Sequence, residues 1–98
     1  MAVISELIER AELEFRDKKA KKAGFIIALS GELYIQSVGI NSAVYIERIG
    51  GGWEVWRETL LSGKKQQINY KIISFSKDFE FILLKAENYF DFIKRKRR

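Results

Sequence analysis

Three consecutive glycines, Gly50–Gly52, separate two runs in which apolar and polar residues alternate, Ala43–Ile49 and Trp53–Thr59. Alternation with a period of two presents one face of each run to a core. Glycine between the runs supplies the positive φ that a tight reversal needs. The pattern therefore commits the middle of the chain to an antiparallel hairpin. Taken as a three-residue loop, the triplet sets Ile49 opposite Trp53, Arg48 opposite Glu54, Ile46 opposite Trp56 and Tyr45 opposite Arg57. Glycine-rich stretches also cradle phosphates, but those lead into a helix N-terminus, and here a strand pattern follows.

The same texture runs on both sides of the hairpin. Short β-branched and aromatic runs, punctuated by Gly31, Gly39 and Gly63, predict strands at 25–30, 32–38, 42–49, 53–61, 66–75 and 79–84. There is no proline, so every residue can donate to a ladder. The connections are too short for parallel crossovers.

Before the strands, Ile4, Leu7, Ile8, Ala11 and Phe15 recur at helical spacing and predict an amphipathic helix over 3–22, its apolar stripe turned to the core. Glutamates fill its first turns and lysines its last, which suits the helix dipole, and Gly24 stands where a helix-ending residue belongs. The last segment reads two ways. We take 79–84 as a strand because Phe79, Phe81 and Leu83 alternate with Glu80, and Ala86 onward as a helix. A helix starting at Ser76 as N-cap also fits positions 79, 82, 83, 86, 90 and 93.

The expectation is an α+β chain: an N-terminal helix, an antiparallel meander of about five to six strands, and a C-terminal helix with a basic tail. Residues 1–93 form one domain and 94–98 the tail. This run of strands closed by a helix is similar, in topology alone, to the PUR-type single-stranded nucleic-acid-binding repeats. No residue motif is shared with them. With both helices on one side of the sheet, Val44, Ile46 and Trp56 face inward, with Leu33, Ile35, Ile68 and Ile72. Tyr34, Gln36, Tyr45, Glu47, Trp53, Val55, Arg57, Asn69 and Lys71 then face outward.

Charge is placed unevenly. The formal net charge is +5, and Lys94–Arg98 alone supply five cations, so residues 1–93 sum to zero. Two further basic clusters, Arg16–Lys22 and Lys64–Lys71, are offset by acidic stretches elsewhere. A near-neutral body with basic ends differs from a uniformly basic nucleic-acid binder. The composition, rich in Ile, Lys and Glu, is similar to that of small accessory proteins of thermophilic archaea and their viruses. No apolar run approaches the roughly 20 residues needed to span a bilayer. The N-terminus lacks the basic, apolar and small-residue series of a secretory signal. We therefore expect an intracellular, cytoplasmic protein.

The chain contains neither His nor Cys. That removes Ser–His–Asp and Cys–His nucleophiles, thiol redox chemistry and Cys/His zinc sites. A Mg²⁺ site would need converging carboxylates, and the only aspartates, Asp17, Asp78 and Asp91, are scattered. The reading is a non-enzymatic protein with no cofactor, no metal and no small-molecule substrate.

Two functions fit. In the first, Lys18, Lys19, Lys21, Lys22, Lys64, Lys65, Lys71 and the tail residues Lys94, Arg95, Lys96, Arg97 and Arg98 hold the phosphates of a nucleic acid. Tyr34, Tyr45 and Trp53, with Arg57, offer stacking on the outer sheet face. In the second, that aromatic face is covered by a second copy in a homodimer, or by another protein, and the tail confers solubility or docks on an acidic partner.

Overall fold

A computed structural model describes residues 2–61 and 67–96. Helix α1 (Ala2–Lys22) leads into strands β1 (Ile26–Leu29), β2 (Leu33–Gly39), β3 (Ser42–Ile49), β4 (Gly52–Leu61) and β5 (Gln67–Ser76), and the chain closes with helix α2 (Phe79–Lys96). The strands form one antiparallel sheet in sequence order, a meander with β1 and β5 at its edges.

The end of α1 follows from Gly24. At φ +95° it lets the Phe25 N–H reach back to the Ala20 carbonyl and its own N–H to that of Lys21, the paired bonds of a Schellman stop. Ala20 and Phe25, brought together by this closure, are both buried.

Residues 79–84 are helical, which corrects the expected sixth strand. Asp78 is the N-cap: its carboxylate accepts from the Glu80 N–H at 3.1 Å and its carbonyl from the Ile82 N–H. The buried residues of α2 are Phe79, Ile82, Leu83, Ala86 and Phe90, at helical spacing, while Phe81 stands exposed. The apparent alternation of Phe79, Phe81 and Leu83 is incidental.

The hairpin register is one residue from the expected one. Gly52 belongs to β4 and pairs with Ile49, so the loop is Gly50–Gly51, with Gly50 at φ +58°. Arg48 then pairs with Trp53, Ile46 with Val55, Tyr45 with Trp56 and Val44 with Arg57. A one-residue slip turns a whole strand over. Trp53 and Val55 lie in the core beside Val44 and Ile46, and Trp56 is on the outer face, the reverse of the expectation for β4. Strand β2 is reversed too: Tyr34, paired with Ile46, is fully buried, whereas Leu33 and Ile35 share the outer side with their partners Glu47 and Tyr45. On β5, Ile68 and Ile72 were expected inside and are exposed, Ile72 in register with Trp56.

Helix α2 crosses the inner face. Phe79 meets Trp53 edge-on at 4.8 Å and Tyr34 at 5.7 Å, and Phe90 lies 5.5 Å from Phe25. Each such ring, fully buried, contributes about 1.5–3 kcal/mol. Helix α1 sits on the same side, but only its second half is docked. Asp17 accepts hydrogen bonds from the Gly31 N–H at 2.9 Å, the Tyr34 hydroxyl at 2.6 Å and the Ser30 hydroxyl. Arg16 stands over the Trp53 ring, 5.5 Å from its centroid. The stripe expected to face the core does not: Ile4, Leu7, Ile8, Ala11 and Phe15 are all exposed.

Candidate interaction surface

With both helices on the inner side, the outer face of the sheet is left open. Cross-strand pairing builds it in rows. The central row runs through all five strands: Ile26 pairs with Ile35, Ile35 with Tyr45, Tyr45 with Trp56 and Trp56 with Ile72. Every member is apolar or aromatic, because the β-branched and aromatic residues that favour strands happen to fall in phase here. Its ends are open to solvent, Ile26 at 71% and Ile72 at 65% exposure.

The aromatic centre is ordered by its own stacking. The Tyr45 ring lies on the Trp56 indole, and Tyr70 closes on the indole from the far side at 5.6 Å. The Trp56 Nε1 is shut off from solvent without an acceptor. The row on one side reads Leu33, Glu47, Glu54, Phe75, and the row on the other Ser37, Ala43, Glu58, Tyr70. Glu47 and Glu54 are thus direct cross-strand partners of like charge, an arrangement that destabilises a sheet left alone. Burial pushes the Tyr45 hydroxyl above its ordinary range, helped by the charge of Glu58, by Tyr70 and by a hydrogen bond to Glu58. Among the described residues this face carries three carboxylates and no cation.

The residues expected to form an aromatic and cationic face are therefore divided. Tyr45 is on the outer face. Tyr34 and Trp53 are core residues, and the Tyr34 hydroxyl is held by Asp17. Arg57 is on the helix side, its Nε donating to the Ser42 hydroxyl at 2.6 Å and its Nη1 to the Tyr89 hydroxyl of α2 at 2.8 Å. Lys71 is the register partner of Arg57 and is exposed. Three outer residues absent from the expected face, Glu54, Trp56 and Glu58, follow from a two-residue loop, and Tyr70 joins them through the β4–β5 register. The preference of tight hairpins for Gly-Gly was the available signal.

The basic residues lie at the helix ends. Lys18, Lys21 and Lys22 are exposed at the end of α1, and Lys94, Arg95 and Lys96 at the end of α2. Lys19 is engaged, paired with Glu80 and lying over the Phe15 ring. The two ends adjoin: a cleft of about 380 Å³ is lined by Ala23, Gln36, Glu87, Asp91 and Lys94, and Lys22 lines a neighbouring groove that shares Ala23 and Glu87. Carboxylates interrupt this cationic region. Lys64, Lys65, Arg97 and Arg98 lie outside the described residues.

No group of His, Cys, Asp or Glu among the described residues is arranged to hold a metal ion. No described helix is long and apolar enough to cross a membrane. Compared with known proteins, the chain matches no family model, no curated protein and no solved structure.

Proposed function

We propose that the chain is a non-enzymatic protein-interaction module whose docking surface is the open sheet face, and that its partner is a cationic amphipathic helix. The observation that carries this reading is the apolar row from Ile26 to Ile72 with Glu47, Glu54 and Glu58 beside it. Covering the row removes apolar surface from water at about 25 cal/mol per Å². The carboxylates attract Lys and Arg on the shoulders of a partner stripe and repel phosphates. Five strands at about 4.8 Å spacing span ~19 Å, the length of roughly 13 helical residues. A second copy laid face to face would set these carboxylates against their own kind, so a symmetric sandwich fits less well.

The test is a titration of the full chain with two labelled peptides of about 14 residues, one a Leu/Lys amphipathic helix and one its Leu/Glu counterpart. The Lys peptide binds, and a Glu47→Gln, Glu54→Gln, Glu58→Gln variant loses about tenfold in affinity. Equal binding of both peptides, or no change in the variant, overturns the reading.

The expected contact with nucleic acid has one observation in its favour, the meeting of the α1 and α2 ends around Ala23 and Glu87. On this second reading Lys18, Lys21, Lys22, Lys94, Arg95 and Lys96 meet phosphates only, with no aromatic stacking. Binding would be insensitive to sequence and steeply weakened by salt.

A further inference from the structure

We infer that the free edge of β5 pairs with the same edge of a second copy, antiparallel, about a two-fold axis through Tyr70. The direction of the backbone groups at this edge follows from the register. The Leu60 N–H donates to the Asn41 carbonyl at 2.7 Å, on the β3 side of β4. Backbone groups alternate along an antiparallel strand, so Trp56, Glu58 and Leu60 turn theirs to β3, and Arg57 and Thr59 turn theirs to β5. Lys71 and Asn69 are the partners of Arg57 and Thr59 and complete that ladder. Ile68, Tyr70 and Ile72, in register with Leu60, Glu58 and Trp56, therefore point their N–H and C=O groups off the sheet. The usual devices that blunt an edge are missing from this stretch. It has no proline, and the one irregularity, at Ile73, lies beyond it. Ile68, Tyr70 and Ile72 are exposed on the outer side and Asn69 and Lys71 on the helix side, so neither helix covers it.

The residue pattern selects a second copy as the occupant. Ile68–Ile72 reads Ile-Asn-Tyr-Lys-Ile, which is symmetric in character about Tyr70. An antiparallel copy centred there sets Ile68 against Ile72 and Tyr70 against Tyr70 on the outer side, and Asn69 against Lys71 on the helix side. Ile68, Tyr70 and Ile72 of each copy then exchange both backbone bonds with Ile72, Tyr70 and Ile68 of the other. Lys71 is the only charged residue of β5, and in this register it meets a neutral amide. An axis at Lys71 would oppose two ammonium groups, and one at Asn69 would carry Ile72 past the start of the other strand at Gln67. The opposite edge of the sheet does not compete. Strand β1 has four residues, is irregular between Ile27 and Leu29 and has α1 packed on it, so it is too short to receive β5 in a head-to-tail filament. A two-fold axis normal to the sheet makes one continuous sheet with both outer faces on the same side and open.

The chain has no cysteine, which makes single introduced cysteines clean reporters of the pairing. Asn69 and Lys71 would form a non-hydrogen-bonded pair across the two-fold, with Cα atoms about 4.5 Å apart, close enough for a disulfide. The test measures mass in solution for the full chain and for Ile68→Pro, which removes an outward N–H and no ladder bond of its own sheet. Circular dichroism checks that the variant keeps its fold. Asn69→Cys and Lys71→Cys are then oxidised separately and as a mixture. The expected result is a dimer whose dissociation constant rises at least about tenfold in Ile68→Pro. The mixed sample forms the Asn69→Cys to Lys71→Cys cross-link in preference to either homodimer. A monomer at all concentrations, a dimer indifferent to Ile68→Pro, or preferential cross-linking of either cysteine to its own copy overturns the inference. The dimer leaves both outer faces open, so peptide binding there holds or fails separately.

Discussion

Tyr45 and Trp56 are directly opposed on β3 and β4, and their rings lie flat on each other, with 4.1 Å between centroids and 8° between planes. The pair joins the two halves of the apolar row, with Ile35 beyond one ring and Ile72 beyond the other. An aromatic pair of this geometry adds about 0.5–1.5 kcal/mol beyond the surface it covers. Trp56→Ala is therefore expected to lower stability to urea by about 1–2 kcal/mol with an unchanged m-value. In the same variant, affinity for the Leu/Lys peptide falls by about tenfold or more, because a flat ring at the centre of a docking surface carries more than its share. A variant that binds as before would place the partner elsewhere.

Asp17 anchors α1 to the β1–β2 turn, and its ionisation is tied to folding. Burial alone would raise its pKa, but hydrogen bonds from Ser30, Tyr34 and the Gly31 N–H, with the charge of Arg16, outweigh that and hold it below the ordinary 3.8. A carboxyl with a lowered folded-state pKa stabilises the fold above its unfolded value and loses that contribution as pH falls through the folded one. Asp17→Asn keeps the shape without the charge. Urea titrations should show the wild-type chain ahead of the variant by about 1–3 kcal/mol near neutrality. That lead should shrink as pH falls below the ordinary 3.8 and through the lowered folded-state value. A lead independent of pH would mean that the charge is not what binds the turn.

Gly31 and Gly51 make a matched comparison. Gly31 has φ +69°, and a Cβ there would come within 1.7 Å of the Leu13 Cδ2. Alanine must strain the backbone and displace the helix, and Gly31→Ala is expected to cost about 2 kcal/mol or more. A Cβ at Gly51 would meet no atom within 4 Å beyond its chain neighbours, and φ is outside the left-handed region, so Gly51→Ala is expected to stay within about 0.5 kcal/mol of wild type. Thermal or urea midpoints of the two variants decide the matter, and equal midpoints would refute the docking described for Leu13.

Much of this fold was legible in the chain, and what was not has local causes. The helix stop at Gly24 and the meander follow from short-range chemistry that the sequence displays openly. The faces did not, because a glycine triplet admits a two- or a three-residue loop, and the choice inverts every side chain of β4. Tyr34 looked like a surface residue because its partner, Asp17, lies 17 residues earlier, on a different element. Phe79–Leu83 reads as strand or helix by pattern, and the Asp78 cap tips it to helix. The stripe on α1 was read correctly as a stripe and wrongly as core, since periodicity says which residues share a face and not what covers it. The outer face was the least legible part: its carboxylates and rings meet only through register.

The basic tail can be tested apart from the sheet. Lys94, Arg95 and Lys96 are exposed in the last turn of α2, beyond its last buried residue, Phe90, and the outer row lies across the sheet from them. A chain stopped at Ile93 keeps Phe90 and Ile93, so its stability should change by no more than about 0.5 kcal/mol. Binding of the Leu/Lys peptide should be unchanged or slightly stronger, because five repelling cations are gone. If the helix ends do hold phosphates, retention of a mixed-sequence oligonucleotide at low salt should drop sharply on truncation. For six or more contacts, the intact chain should lose about a thousandfold in affinity between roughly 50 and 200 mM salt. Fluorescence anisotropy with both ligands, on both chains, separates the two surfaces. Peptide binding that disappears with the tail would show that the cations, and not the carboxylates of the open face, determine what this protein holds.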